Sequence, residues 1–98
     1  MRAGQRQEGG VTTTESIKSA VKAYILGEFL VGENPNALSD STPLISGGIL
    51  DSIGTLKLVT FLEENYKIEF DAYEMGVDHL DDISRIATLV TSKLKADS

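Results

Sequence analysis

Apolar residues recur at helical spacing in three segments of this 98-residue chain, and this periodicity restricts its fold more than any other feature. In residues 13–31 and 83–94 the apolar residues share one face of a helix, and in residues 52–66 they form two stripes. No segment shows a convincing strand pattern. The sequence therefore predicts an all-α bundle of three main helices and a short one, which packing between the helices must stabilise.

The predicted helices are separated by segments with the composition of loops. The first helix is expected to begin at Thr13 or Thr14 and to end near Val31 and Gly32, where the long polar loop "GENPNALSDSTP" follows. Residues 72–80 are expected to hold one or two helical turns, interrupted at Gly76. The inner faces of the first and last helices are predicted to consist of Ile17, Ala20, Val21, Tyr24, Ile25 and Phe29, and of Ile83, Ile86, Ala87, Val90 and Leu94.

Several apolar residues outside the three main helices are expected to anchor loops in the core. These residues are Leu38, Leu44 and Ile45 in the first loop, and Ile68 and Phe70 after the second helix. Asp81 or Asp82 is expected to cap the last helix, and Asp51 the second.

Residues 1–12 are polar and glycine-rich, so they are predicted to form a flexible tail before a single domain at 13–95. No apolar run reaches the roughly 20 residues needed to span a bilayer. The first ten residues also lack the apolar core of a signal peptide. These features predict a cytoplasmic protein that does not enter a membrane, and we separately expect it to be a monomer.

Composition excludes several classes of function. The net charge of −6 argues against nucleic-acid binding, because neutralising phosphates requires an excess of Lys and Arg. The chain has no cysteine and a single histidine, which excludes disulfides, a cysteine nucleophile and metal sites built from Cys and His. The cluster "DHLDD" at 78–82 matches no known pattern of metal ligands, and we expect no metal site there.

The second helix carries one apolar stripe more than a small bundle can bury. Its core stripe consists of Leu58, Val59, Leu62 and Tyr66. The second stripe consists of Ile53 and Leu56, beside Thr60, Glu63 and Glu64. Because this second stripe should face water, we interpret its five residues as a docking surface for a partner protein.

Acidic residues dominate the segment from Glu63 to Asp82, where eight acids accompany a single lysine, Lys67. Glu63 and Glu64 also lie in the last turn of the second helix, where the helix dipole disfavours negative charge. One interpretation is a surface for basic partners, and the other is a solvated face of an acidic protein.

Ser52 stands at the first position of the second helix, directly behind the predicted cap, Asp51. A nucleophilic serine of the G-x-S-x-G type would need glycine at position 50, where this chain has Leu50, and His79 would be its only possible base. If Asp51 caps the helix, the Ser52 hydroxyl is free, and the helix N-terminus favours an attached anion. Ser52 is therefore expected to be either a passive helix cap or a site of modification.

The segment "GGILDSIGTLKLVTFLEENYKIEF" resembles the core of acyl and peptidyl carrier proteins, in which Asp-Ser followed by an aliphatic residue opens the second of four helices. The resemblance extends from about Glu15 to Leu94. It rests on the Asp-Ser-Ile triplet together with the preceding glycine, Leu58, the Leu62-Glu63-Glu64 run and the chain length. It implies the four-helix carrier fold, with a long first loop and a short third helix.

By this resemblance, Asp51-Ser52 is the attachment site of 4′-phosphopantetheine, which a phosphopantetheinyl transferase moves from coenzyme A onto Ser52. The resemblance also implies a non-catalytic protein that carries an acyl or aminoacyl group as a thioester. Its further partners would be an activating ligase and downstream transferases or synthases. Ile53, Leu56, Thr60, Glu63 and Glu64 would be the docking residues, while magnesium would be held mainly by the transferase and the cofactor.

Two positions depart from the carriers that serve fatty acid biosynthesis, which usually have acids where this chain has Gly54 and Lys57. The stretch "GILDSIGT" is closer to D-alanyl and other stand-alone aminoacyl carriers, and Phe61 could narrow a pocket for a long acyl chain or fill the core. The resemblance thus favours a specialised carrier over a housekeeping one, with cargo and pathway left open. The alternative is a helical interaction module that uses the same surface of the second helix without modification.

Overall fold

The computed structural model describes residues 13–97, which form four helices and no strand. The helices are α1 (Thr14–Glu28), α2 (Ser52–Tyr66), α3 (Val77–Leu80) and α4 (Ile83–Asp97), and single 3₁₀ turns lie at Pro35–Ala37 and Ala72–Glu74. The prediction of a small all-helical bundle with a short third helix is confirmed. The predicted tail, residues 1–12, lies outside the described residues.

Helix α1 begins where the sequence predicts and ends earlier. The Thr13 hydroxyl accepts a hydrogen bond from the Ser16 N–H at 3.0 Å, and the Ser16 hydroxyl accepts one from the Thr13 N–H at 3.1 Å. The helix ends at Glu28 instead of near Val31, because the backbone of Phe29 leaves the helical region at φ −120° and ψ −21°. The N–H groups of Phe29 and Leu30 both donate to the Ile25 carbonyl, which closes the last turn.

The core lies where α1, α2 and α4 meet, and α1 and α4 share the most extensive packing. All five predicted loop anchors contribute to it, since four are buried and Ile45 is half-buried. The largest fully buried side chains are Ile17, Val21, Ile25, Leu38, Leu44, Leu50, Leu58, Leu62, Leu80, Ile83, Ile86 and Val90. Aliphatic side chains therefore provide nearly all of the core.

Helix α2 has the bounds predicted from the sequence, Ser52–Tyr66. Leu58, Val59 and Leu62 are buried and Tyr66 is half-buried, as expected of the core stripe. The helix stops because Lys67 adopts the left-handed conformation, with φ 56° and ψ 48°. The chain then inserts Ile68 and Phe70 into the core before the 3₁₀ turn at 72–74 and α3.

Candidate functional site

Asp51 caps the N-terminus of α2, as the sequence predicts. Its Oδ1 accepts a hydrogen bond from the Gly54 N–H at 2.7 Å, and its carbonyl accepts bonds from both the N–H and the hydroxyl of Thr55 at 2.8 Å. Three donors of the first turn are therefore satisfied by one residue. The capping function belongs to Asp51, so it does not require the serine that follows.

The Ser52 side chain is exposed at the first position of α2, and its hydroxyl makes no hydrogen bond with any residue of 13–97. It lines a cleft of about 370 Å³ between the start of α2, the loop before it and the start of α3. The other residues lining this cleft are Ile45, Asp51, Thr55, Leu56, Met75, Gly76 and Val77. The hydroxyl is thus accessible beside a largely apolar cleft.

The structure does not bring the single histidine to Ser52. His79 lines a different cleft, between α3 and α4, with Asp78, Ser84 and Arg85 among its neighbours. Its ring lies edge-on to the ring of Tyr73 at 6.1 Å between centroids. A serine nucleophile activated by the single histidine is therefore not formed by this arrangement.

A second groove runs along the exposed side of α2, against α1. The groove is about 390 Å³, and it is lined by Tyr24, Ile53, Leu56, Lys57, Thr60, Phe61 and Glu64. Ile53 and Leu56 are 63% and 53% exposed, among the largest exposures of apolar side chains in the described residues. Four of the five residues predicted to dock a partner, Ile53, Leu56, Thr60 and Glu64, line this groove, and we call these four the α2 strip.

Glu63, the fifth predicted docking residue, lies outside the groove. It is half-buried, and its Oε2 accepts a hydrogen bond from the Phe70 N–H at 2.9 Å. The bond ties the end of α2 to the segment that follows the left-handed turn at Lys67. In this structure the Glu63 carboxylate therefore contacts the protein's own backbone.

Several other acids of the segment 63–82 are also bonded within the fold. Glu74 is 6% exposed and pairs with Lys93 at 2.7 Å, while its Oε1 also accepts a bond from the Asp71 N–H at 2.8 Å. The Lys93 hydrogen bond is the main cause that lowers the pKa of Glu74, with a smaller contribution from the Asp71 N–H. Asp82 caps α4 by accepting a bond from the Arg85 N–H at 2.8 Å.

Asp81 joins the loop before α2 to the junction between α3 and α4. Its Oδ1 accepts hydrogen bonds from the N–H groups of Ile45 at 2.9 Å and Ser46 at 2.8 Å, and its Oδ2 accepts one from the Ser46 hydroxyl at 2.7 Å. The Ser46 N–H is the main cause that lowers the pKa of Asp81, followed by the Ser46 hydroxyl. The carboxylate is thus held in its charged form by groups of the opposite loop.

The sequence did not reveal the aromatic wall of the groove. The rings of Tyr24 and Phe61 stack at 4.2 Å between centroids, and the Tyr24 hydroxyl donates to the Lys57 carbonyl at 3.2 Å. Burial raises the pKa of the Tyr24 hydroxyl above its ordinary value. Phe61 therefore joins α1 to α2 at the edge of the core, half-buried, instead of filling the core centre.

Gly54 is a further position whose role depends on the tertiary structure. It is buried within α2, and a Cβ added there would lie 3.0 Å from the Phe29 ring and 3.2 Å from Asp51 Oδ1. Glycine inside a helix is unfavourable in general, and this is the one signal in the sequence that could have indicated a close contact.

A comparison with models of known protein families and with curated protein sequences finds no match for this chain. Within residues 13–97 no helix combines the length and apolar character needed to cross a membrane. The same residues contain no group of three or more His, Cys, Asp or Glu side chains arranged to hold a metal ion. Function is therefore inferred from the residues around Ser52 and the α2 strip.

Proposed function

We propose that this protein is a carrier that holds an acyl or aminoacyl group as a thioester on a 4′-phosphopantetheine arm attached to Ser52, and that it passes this group between partner enzymes. The observation that supports this proposal best is the Ser52 hydroxyl, exposed and without a hydrogen bond in residues 13–97 while Asp51 caps the helix. The bundle would then be a four-helix carrier fold, and the protein itself would catalyse no reaction.

The first turn of α2 suits a phosphodiester on Ser52. The N–H groups of Gly54 and Thr55 are bonded to Asp51, whereas those of Ser52 and Ile53 have no acceptor within residues 13–97. Free N–H groups and the helix dipole both favour an anion at this position. Because the chain has no cysteine, thioester chemistry would need the thiol that the attached arm supplies.

In the proposed attachment, the Ser52 hydroxyl oxygen attacks the phosphorus atom of coenzyme A that carries the pantetheine arm. A P–O bond to Ser52 forms as a P–O bond of the pyrophosphate breaks, and adenosine 3′,5′-bisphosphate leaves. A base of the phosphopantetheinyl transferase takes the hydroxyl proton. Magnesium, held mainly by that transferase and by coenzyme A, would neutralise the phosphates.

The α2 strip would provide the docking surface for the transferase, for an activating ligase and for later enzymes. Two exposed aliphatic side chains beside a reactive position are typical of an interaction surface and not of a solvated face. Gly54 and Lys57 make the front of α2 less acidic than the same helix in carriers for housekeeping fatty acid synthesis. We therefore propose a specialised carrier. The cytoplasm, where coenzyme A and such ligases are found, is the proposed location.

Intact mass spectrometry of the full chain, before and after incubation with coenzyme A and a broad-specificity phosphopantetheinyl transferase, tests the proposal. We expect a gain of one phosphopantetheine that Ser52→Ala abolishes and that Ser92→Ala, a change at an exposed serine of α4, retains. Ser52→Ala should change the free energy of unfolding by less than about 0.5 kcal/mol, because Asp51 supplies the cap.

A folded wild-type protein that gains no mass with this transferase or with a dedicated one would contradict the carrier proposal. The second candidate function, an unmodified interaction module, is favoured by the groove between α1 and α2, which does not include Ser52. In that case the Ser52→Ala variant would still bind the partner protein, and the Leu56→Asp variant would not.

A further inference from the structure

The loop that leads into α2 is held at its start by Asp81. The Asp81 carboxylate accepts three hydrogen bonds from Ile45 and Ser46, and the Asp81 carbonyl accepts a fourth, from the Leu44 N–H at 2.6 Å. The Leu50 N–H donates to the Leu44 carbonyl at 2.8 Å, so the turn from 44 to 50 is closed on itself. The next two residues are the cap Asp51 and Ser52. Asp81 therefore anchors the turn that directly precedes the serine.

Asp81 also connects the two walls of the cleft beside Ser52. One wall includes Ile45, whose N–H is bonded to the Asp81 carboxylate. The opposite wall includes Gly76 and Val77 at the start of α3, the short helix that Asp81 terminates. Asp81 thus links the loop before α2 to the end of α3, and both of these elements contribute residues to the cleft beside Ser52.

We propose that Asp81 is a positioning residue for Ser52, which holds the turn 44–50 and thereby fixes the position of the hydroxyl and the width of the cleft beside it. This inference rests on the proposed function of Ser52. Asp81 is far along the chain from Ser52 and does not line the cleft, so it acts through Ile45 and Ser46.

The inference predicts a particular kinetic effect of Asp81→Ala on the attachment of phosphopantetheine. The docking surface on α2 is unchanged, so the KM for the carrier should stay near the wild-type value. The hydroxyl is no longer held in place, so kcat should fall by roughly tenfold or more, within the range for small misplacements of a reacting group. A variant that is only unstable would instead raise the apparent KM, because fewer folded molecules are present, and would leave kcat at saturation unchanged.

The conservative variant Asp81→Asn should restore most of the rate. Its amide oxygen can replace Oδ1 as acceptor for the Ile45 and Ser46 N–H groups, and its amide nitrogen can donate to the Ser46 hydroxyl. We expect kcat within about threefold of wild type, since the geometry and not the charge positions the serine.

Asp82→Ala is the matched control. Asp82 is the neighbouring acid and caps α4, but it makes no bond to the turn 44–50. This variant should lose stability and keep kcat. Hydrogen exchange of the Ile45 and Ser46 amides gives a readout that does not depend on the transferase: exchange should accelerate at least about tenfold in Asp81→Ala and stay unchanged in Asp82→Ala.

The outcomes separate this inference from the proposed function. If the wild type is modified and Asp81→Ala keeps the wild-type kcat, or shows unchanged exchange at Ile45 and Ser46, the positioning role is wrong while the carrier function stands. If the folded wild type is not modified by any transferase, both proposals are wrong. A lower kcat in Asp81→Ala with recovery in Asp81→Asn supports the positioning role.

Discussion

On the outer side of α2, Ile53 and Leu56 remain largely exposed, whereas in the segment 63–82 at least half of the eight acids are bonded within the fold. Both regions are unusual in the sequence, and both suggest a docking surface. The comparison shows that exposed aliphatic residues indicate a docking surface more strongly than acidic residues do. A carboxylate can serve the fold by accepting backbone N–H groups, but an exposed aliphatic side chain adds nothing to the core.

The largest difference should be between the two faces of α2, at leucines two positions apart. Leu58→Ala should lower the free energy of unfolding by roughly 2–5 kcal/mol, because Leu58 is fully buried. Leu56→Ala, the matched control on the exposed face, should change it by less than about 0.5 kcal/mol. Urea unfolding monitored by circular dichroism measures both, and similar losses in the two variants would break the comparison.

Within the acidic segment, neutralising an acid that is bonded within the fold should cost more stability than neutralising an exposed acid. Glu74→Gln should cost roughly 1–3 kcal/mol, because it leaves the half-buried Lys93 without its carboxylate partner. Lys93 would retain its position over the Phe70 ring, 5.3 Å from the centroid. Glu69→Gln removes an exposed charge and should be close to neutral. Equal effects in urea unfolding would mean that the segment behaves as a uniform acidic surface.

Stability should fall in acid because of the same bonded carboxylates. The folded pKa values of Glu74 and Asp81 are both lowered by hydrogen bonds, those of Glu74 mainly from Lys93 and those of Asp81 mainly from Ser46. Their contribution is complete above the unfolded pKa values of about 4, and it is lost as the pH falls through the lower folded values. Urea midpoints measured from about pH 7 down to about pH 3 should decrease below about pH 5, and less steeply in Glu74→Gln.

The smallest effect on stability, and a large one on function, is expected at the α2 strip. Leu56→Asp should change the free energy of unfolding by less than about 0.5 kcal/mol, because position 56 faces water. The same change should slow phosphopantetheine attachment by roughly tenfold or more, because it places a charge in the apolar centre of the proposed interface. Ser92→Asp on α4 adds an equal charge elsewhere and should leave the rate unchanged. A melted bundle in Leu56→Asp would show that this stripe belongs to the core.

Features set by neighbouring residues could be predicted from the sequence. The cap at Asp51 and the bounds of α2 follow from local chemistry and periodicity, and the exposure of Ile53 and Leu56 follows from the helical wheel. The end of α1 was predicted too late, because Phe29 leaves the helix and packs against residues of α2.

Features that join distant segments could not be predicted in this way. Glu63 was assigned to the docking surface because it lies beside Ile53 and Leu56 on the helical wheel. Its partner, the Phe70 N–H, lies beyond the left-handed turn at Lys67, and the wheel of α2 cannot show that bond. The bonds from Asp81 to Ile45 and Ser46 span 35 or 36 positions of the chain, and no local pattern encodes them. The sequence therefore indicated which acids are present, and the structure shows which of them already form hydrogen bonds within the fold.

The contact between Gly54 and the Phe29 ring determines in which order this protein could acquire new substitutions. Even a methyl group at position 54 would lie 3.0 Å from the ring and 3.2 Å from Asp51 Oδ1, so a side chain there requires these groups to shift by a few tenths of an ångström. If position 29 first became smaller, a side chain at position 54 could fill the vacated volume. The two positions are therefore coupled, because the effect of a new side chain at position 54 depends on the size of residue 29 and on how far it can shift.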